Sequence, residues 1–287
     1  MTIPGHGLLQ TPGGSGLRWP SGRSTICVGI TNAGDSMRVL PVKTFGDNYA
    51  YLLVDESRHT AAVVDPGQAG PVREWLARGG LKLAAILATH HHDDHVGGIG
   101  ELVTLAPGIP VLGAAADKGR IPHQTDFLED GDPVEAGGMR GTAIATPGHT
   151  RGGVAYFFPA PLGGDLFAGD TLFGGTMGNL FEGTPDRMRA TLKRLRDLPE
   201  RTRLWPGHEY TESGVRDALR LQPDDPVIVA RMAAVEAALA RSGRTIPLSL
   251  DEERRTNPFL RWDDPDLRAL LGTTGDKDTF RKLCEVL

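Results

Sequence analysis

Cysteine is almost missing from this chain: 287 residues carry two, Cys27 and Cys284, near opposite ends. Neither a disulfide framework nor a paired-cysteine zinc site can be built from them. A reducing compartment is therefore expected, the cytoplasm, or the mitochondrial matrix if residues 1–36 act as a transit segment. Long apolar runs are also missing; none approaches the roughly 20 residues that a spanning helix requires, so no membrane partner is expected. Positive charge is not in excess. With 31 Lys and Arg against 36 Asp and Glu, a net charge of −5 and a pI near 6.0, nothing points to nucleic acid. An anionic small molecule would need a local cluster of Lys or Arg. What remains, 39% hydrophobic and 23% charged residues, is an ordinary globular composition with length for one large core or two unequal ones. A monomer is the expected state.

Residues 1–36 are rich in Gly, Pro, Ser and Thr and lack hydrophobic periodicity. Such a segment buries too little apolar surface to offset its ordering entropy, and disorder is expected there. From Met37 the pattern changes. Stretches 37–42, 49–54, 60–64, 83–88 and 110–114 read as strands, with a helix over 71–78 and another starting near 99–105. A second strand-rich stretch follows at 134–136, 141–146, 154–158, 165–168 and 202–205, with a helix over 187–198. Two sheets packed face to face with helices outside satisfy the layer rules. Beyond Trp205 strands vanish, and 212–221, 226–241 and 264–271 read as helices. The expected division is a sandwich over 37–209 and a helical domain over 210–287.

The chain is organised around Thr89-His90-His91-His92-Asp93-Asp94-His95-Val96-Gly97-Gly98, which leaves the end of the 83–88 strand. Residues two apart on extended backbone share a face, so His90 and His92 point together and His91 points away. As the chain turns toward a helix, Asp94 and His95 can aim at a second point nearby. A histidine run is sometimes a tag or a solvated loop, but a tag sits at a terminus and has neither spaced acids nor a strand before it. Imidazole and carboxylate together suit several divalent metals, and this spacing suggests two adjacent sites.

Three further polar groups stand at strand ends beside glycines: His149 after Pro147-Gly148, Asp170 after Gly169, and His208 after Pro206-Gly207. They complete the count. His90, His92 and His149 supply three ligands for one metal, and Asp94, His95 and His208 three for the other. Asp170 is left over, and one carboxylate can span the roughly 3.5–4 Å between paired ions. His91 is expected to pack or hydrogen-bond. His6, His59 and His123 are expected on the surface, and Glu209 beside His208 in a supporting role.

The Thr-His-x-His-x-Asp-His motif with distant His, Asp and His resembles the metallo-β-lactamase superfamily. That resemblance implies an α+β fold, a four-layer αβ/βα sandwich, here followed by a C-terminal helical domain. Gly169-Asp170-Thr171-Leu172-Phe173, Phe181-Glu182-Gly183-Thr184, Gly207-His208-Glu209-Tyr210-Thr211 and Asn257-Pro258-Phe259 look like glyoxalase II, the hydroxyacylglutathione hydrolases. The likeness runs from Met37 almost to the C-terminus. It implies hydrolysis of S-D-lactoylglutathione to D-lactate and glutathione, the second step of methylglyoxal detoxification. The attacking group would be a hydroxide held between two divalent metals, with Asp94 and Asp170 as the catalytic carboxylates. Zinc is the expected ion, with iron or manganese as alternatives.

The implied substrate contacts depart from the family pattern. Asn179 and Phe181 stand where the family carries a basic residue and a tyrosine, and Thr274 stands at the place of an arginine. Tyr210 and Lys277 match residues that the family offers to glutathione. Losing an Arg–carboxylate contact costs on the order of 1.5–3 kcal/mol, roughly tenfold to hundredfold in affinity. The alternatives are a hydrolase of another thioester, a persulfide dioxygenase-like mononuclear iron enzyme, and a catalytically dead binding module. The long helical tail and the second ligand set argue against the dioxygenase, and the intact ligands against the dead module.

Overall fold

The computed structural model describes residues 38–287; the disorder expected of residues 1–36 lies outside the described residues. Two six-stranded sheets dominate. In the first, β1 (Arg38–Thr44), β2 (Asn48–Asp55), β3 (Thr60–Val64), β4 (Lys82–Leu87), β5 (Val111–Ala114) and β6 (Asp126–Leu128) lie side by side in chain order. The first three are antiparallel and the rest parallel. In the second, β7 (Pro133–Ala136), β8 (Met139–Ala145), β9 (Val154–Ala160), β10 (Gly163–Gly169), β11 (Arg201–Pro206) and β12 (Leu248–Ser249) again follow one another, only β10 and β11 being parallel.

Both faces of each sheet are covered, and β2 shows how the sequence achieves this. Its alternate residues Tyr49, Tyr51 and Leu53 belong to the core between the sheets. Ala50, Leu52 and Val54 point the other way, into a core shared with α1 (Ala69–Gly79) and α3 (Ile99–Leu105). The period of two is present, but all eight residues are buried, so it divides two apolar cores and does not separate core from solvent. Between the sheets, the Tyr51 ring meets Phe167 at 5.5 Å and Trp205 at 5.4 Å. The helix α4 (Pro185–Arg196) covers the outer face of the second sheet through Met188, Leu192 and Leu195. The layers are thus helix, sheet, sheet, helix, as expected.

Five helices close the chain: α5 (Thr211–Leu221), α6 (Pro226–Ser242), α7 (Leu250–Thr256), α8 (Pro265–Leu271) and α9 (Asp276–Val286). Ahead of α3 lies one more short turn of helix, α2 (Asp93–Val96). Sequence reading missed α7 and α9. Asp251-Glu252-Glu253-Arg254-Arg255 carries no apolar stripe, and its capping by Ser249 Oγ on Glu252 N is the only local signal. In α9, Phe280 and Leu283 are fully buried among charged neighbours, too few for a clear period. The strands β6 and β12, of three and two residues, are too short to show alternation.

Phe259, Trp262, Phe280 and Leu283 from the tail share one core with α4 and the second sheet. The Phe280 ring touches Phe259 at 5.7 Å and Trp262 at 5.8 Å. Phe280→Ala is therefore expected to lower unfolding stability by about 3–5 kcal/mol in urea denaturation; a loss below about 1 kcal/mol would refute a shared core.

Candidate metal centre

Parallel β4, the like-directed β8 and β10, and β11 all end at one edge of the sandwich. The residues that follow them supply the site: His90 and His92 after β4, Asp94 and His95 on α2, His149 after β8, Asp170 after β10 and His208 after β11. Backbone bonds lock the two sheets together here. Val154 N donates to Thr89 O (2.8 Å) and Tyr49 N donates to Gly207 O (2.8 Å). Sequence-distant groups thus face one another because four strands share an edge.

Three sets of donor atoms converge: His90, His92 and His149; His90, His95 and Asp170; and Asp94, His95 and His208, each set lying within 4.8 Å of one another. His90 Nε2 is 3.0 Å from His92 Nδ1, which is 3.1 Å from His149 Nε2. Asp170 stands between the triads. Its Oδ2 is 3.6 Å from His149 Nε2 and 3.4 Å from His208 Nε2, while its Oδ1 is 3.3 Å from His95 Nε2. Asp94 Oδ2 lies 3.3 Å from His208 Nε2 and 3.6 Å from His95 Nε2.

Partners on the far side of each ring fix which nitrogen carries the proton. His149 Nδ1 donates to the carbonyl of Asn179 (2.8 Å), His95 Nδ1 to Asp65 Oδ2 (3.1 Å) and His208 Nδ1 to Asp47 Oδ1 (3.0 Å). Thr89 Oγ1 gives its hydrogen to Asp65 Oδ2 (2.7 Å) and so accepts from His90 Nδ1 (3.1 Å). Each of these four rings, in its neutral form, turns the Nε2 lone pair inward. Lone pairs at these separations repel unless a cation lies among them, and the donor set is the one a divalent metal requires. Two buried atoms of the site, His95 Nε2 and Asp170 Oδ1, have no hydrogen-bond partner. The residues fit a metal pair.

The electrostatics agree. Burial holds His90, His92 and His149 below the ordinary imidazole value, so these rings are neutral and available. Burial alone would do the same to His208, but the carboxylates of Asp170 and Asp94 outweigh it and push that ring up to about 10. His95 is raised against burial by Asp170 and Asp65. This half of the site concentrates negative charge that a bound cation offsets.

Glycine makes room. A Cβ on Gly207 would lie 2.2 Å from Asp170 Oδ1 and 2.7 Å from His95 Cε1. Gly169, at φ +49, would place a Cβ 2.2 Å from Thr89 Oγ1; only glycine tolerates that backbone and that contact together.

His91 is not among the convergent groups, as its outward direction implied. Its Nδ1 meets Asp117 Oδ2 (3.2 Å) and its Nε2 meets Arg120 (2.5 Å), which also binds Glu182. Glu209 supports the site from behind, accepting from Tyr49 Oη (2.8 Å) and Thr245 Oγ1 (2.6 Å). His59 and His123 are exposed. Around the mouth, the Phe181 ring stands edge-on to His92 (5.6 Å) and His149 (5.2 Å) and is 66% exposed, free to meet a ligand. Tyr210 stacks on His208 at 4.7 Å. Asn179 is exposed, and its carbonyl rather than its side chain touches the site. Thr274 and Lys277 are exposed at the start of α9; the Lys277 charge reaches Asp186, at the start of α4. Asp47, Asn48 and Asp65 escaped sequence reading, although Asn48 Nδ2 donates to Asp94 Oδ2 (2.8 Å). Nothing in their local sequence marks them, since the contacts are made across the fold.

Because Gly207 leaves the space that Asp170 and His95 occupy, Gly207→Ala is expected to weaken metal binding roughly tenfold to hundredfold with the circular dichroism spectrum intact. Wild-type metal affinity in that variant would contradict the packing described.

Comparison with known proteins agrees with this geometry. Residues 44–208 match the model of the metallo-beta-lactamase superfamily, and residues 209–286 match that of the hydroxyacylglutathione hydrolase C-terminus. A hydroxyacylglutathione hydrolase of Synechococcus sp. (strain JA-3-3Ab) is 49% identical over 86% of this chain and 97% of its own length. Another, from Gloeobacter violaceus, is 48% identical over the same shares. Among solved structures, ETHE1 from Myxococcus xanthus shares the fold, with a TM-score of 0.59 at 24% identity over 87% of this chain and 89% of that one. TTHA1623, solved in a di-iron-bound form, is 28% identical with a TM-score of 0.57, covering 77% of this chain and 100% of that one. With both halves matched, and with relatives near half-identical along almost their whole length, the chain belongs to the hydroxyacylglutathione hydrolase family of the metallo-β-lactamase superfamily.

Proposed function

We propose that this protein hydrolyses S-D-lactoylglutathione and related 2-hydroxyacylglutathione thioesters to the hydroxy acid and glutathione, as the names of its relatives suggest. The observation that carries the reading is the convergence of five imidazoles and the ionised carboxylates of Asp170 and Asp94 on one sandwich edge. In this reading 37–209 is the catalytic domain and 210–287 the helical substrate-binding domain, in a cytoplasmic monomer. His90, His92 and His149 hold one divalent ion, Asp94, His95 and His208 the other, and Asp170 both. Zinc is the proposed resident ion; the same donors accept iron, as in the di-iron-bound relative, or manganese. When bound, such ions supply Lewis-acid activation of water and of a thioester carbonyl.

The protein's own residues do the rest. Asp65, Asp47 and the Asn179 carbonyl hold three rings in the tautomer that presents Nε2 inward. Asn48 engages one oxygen of Asp94, which restrains that carboxylate. No serine or cysteine nucleophile stands among the convergent groups, in keeping with attack by water. Phe181 and Tyr210 give the mouth apolar walls against which an acyl group can lie while the polar centre stays behind them. Asn179 offers no charge to a glutathione carboxylate, so recognition of the thiol half is expected to be weak.

Steady-state kinetics test this directly. Metal-replete protein is expected to hydrolyse S-D-lactoylglutathione, to lose activity to a strong chelator, and to show a KM lowered roughly tenfold in Asn179→Lys at unchanged kcat. Turnover of other thioesters but not this one would refute the substrate; an unchanged KM would refute the account of the pocket.

A further inference from the structure

The segment that leaves β10 is a hairpin with a task at each base. Asp170 stands at its start, and Asn179, whose carbonyl fixes His149 Nδ1 at 2.8 Å, stands at its end. Its two arms close on each other: Leu172 and Met177 form an antiparallel bridge, and Phe173 N donates to Thr176 O (3.1 Å). Gly178 presses so close to the start of the hairpin that a Cβ there would lie 1.8 Å from the Asp170 carbonyl oxygen. Close packing passes a displacement of the tip to both bases. One carries a carboxylate of the metal centre, the other the acceptor that orients an imidazole.

The tip, 173–176, is gripped by the helical part of the chain. Asn257 Nδ2 donates to Phe173 O (3.2 Å) and Thr176 O (3.0 Å). Glu253 Oε2 accepts from Gly175 N (2.8 Å) and from Asn257 Nδ2 (3.1 Å). Glu253 is fully buried, and its charge is met by Arg231 of α6, itself 3% exposed, which also binds Thr256 Oγ1. From the opposite side, Gly175, at φ +73, lies against the backbone of α5; a Cβ on it would sit 2.6 Å from the carbonyl carbon of Gly214. A buried ion pair is weak evidence for stability, because desolvation takes back most of what the attraction gives. What it does supply here is direction. Arg231 holds one Glu253 oxygen, so the other meets Gly175 N and Asn257 at fixed angles.

We propose that Arg231, Glu253 and Asn257 are positioning residues for the metal centre: they lock the 171–178 hairpin and thereby set Asp170 and the His149 ring. The proposal rests on the metal-ligand roles given to Asp170 and His149 above. It gives the Asn257-Pro258-Phe259 segment a task in metal binding, not in substrate contact.

Metal affinity, measured by competition of the metal-loaded protein with a chromogenic zinc chelator, tests it alongside the melting temperature of each sample. Two variants act on the tip from different sides. Asn257→Ala removes the grip on the Phe173 and Thr176 carbonyls, and Gly175→Ala pushes the tip off α5 while the side chains of Arg231, Glu253 and Asn257 are all retained. Leu267→Ala, fully buried in α8, is the control for a general loss of stability. Both tip variants are expected to weaken zinc binding roughly tenfold or more, while Leu267→Ala melts lower yet binds as wild type does. Should Asn257→Ala not fold, Gly175→Ala carries the reading. Wild-type affinity in the tip variants, or an equal loss in Leu267→Ala, overturns the proposal. A wild-type protein that binds no zinc tightly overturns the ligand set as well, which separates the two failures.

Discussion

Nitrogen and oxygen donors crowded together at one largely buried edge of the sandwich are the constraint on which this structure depends. Three imidazole nitrogens lie at successive separations of 3.0 and 3.1 Å, with a 9%-exposed carboxylate beside them. With a lone pair on each of these nitrogens, such an arrangement is unfavourable in a low dielectric unless positive charge sits within it. Everything nearby serves to hold it open. Glycines 169 and 207 leave room for the donors, Asp65 and Asp47 turn two rings, and backbone bonds between the sheets keep the four strand ends in register. The sandwich is the frame that makes the crowding possible.

The same constraint explains why the helical tail is fused to the sandwich core and does not hang beside it. Phe259, Trp262 and Phe280 are buried with α4 and the second sheet, and Asn257 and Glu253 reach from that anchored position to the hairpin that begins at Asp170. A tail that served only to offer exposed contacts to a substrate would need neither the shared apolar core nor a buried charge pair.

How much of this was legible in the sequence depended on the kind of signal. The histidine and aspartate positions were readable because extended backbone alternates faces and because each distant donor sits at a strand end marked by glycine. Most helices and strands came through for similar reasons, their apolar periods being long enough to recognise. Asp65, Asp47 and Asn48 were not readable, since an acidic or amide residue in a turn looks the same whether it faces solvent or an imidazole. The Arg231–Glu253 pair was hidden because Arg231 is one of few charges in a largely apolar helix and Glu253 lies in a charged run without an apolar stripe, which is also why α7 was missed. His91 was read correctly as turned away from the other rings, but its partners Asp117 and Arg120 lie 26 and 29 residues on and needed the fold to find them. Asn179 was read through its side chain, whereas its carbonyl is what touches His149; sequence carries no signal for a main-chain role of that kind.

In the proposed reading, seven side chains from both halves of the sandwich hold two divalent ions, and hydrolysis depends on them. Metal stoichiometry of the purified protein, determined by inductively coupled plasma mass spectrometry on the sample used for thioester assays, tests it most directly. Close to two ions per chain are expected, with activity rising and falling as the ions are restored and removed. Full thioesterase activity in protein stripped of metal would contradict it.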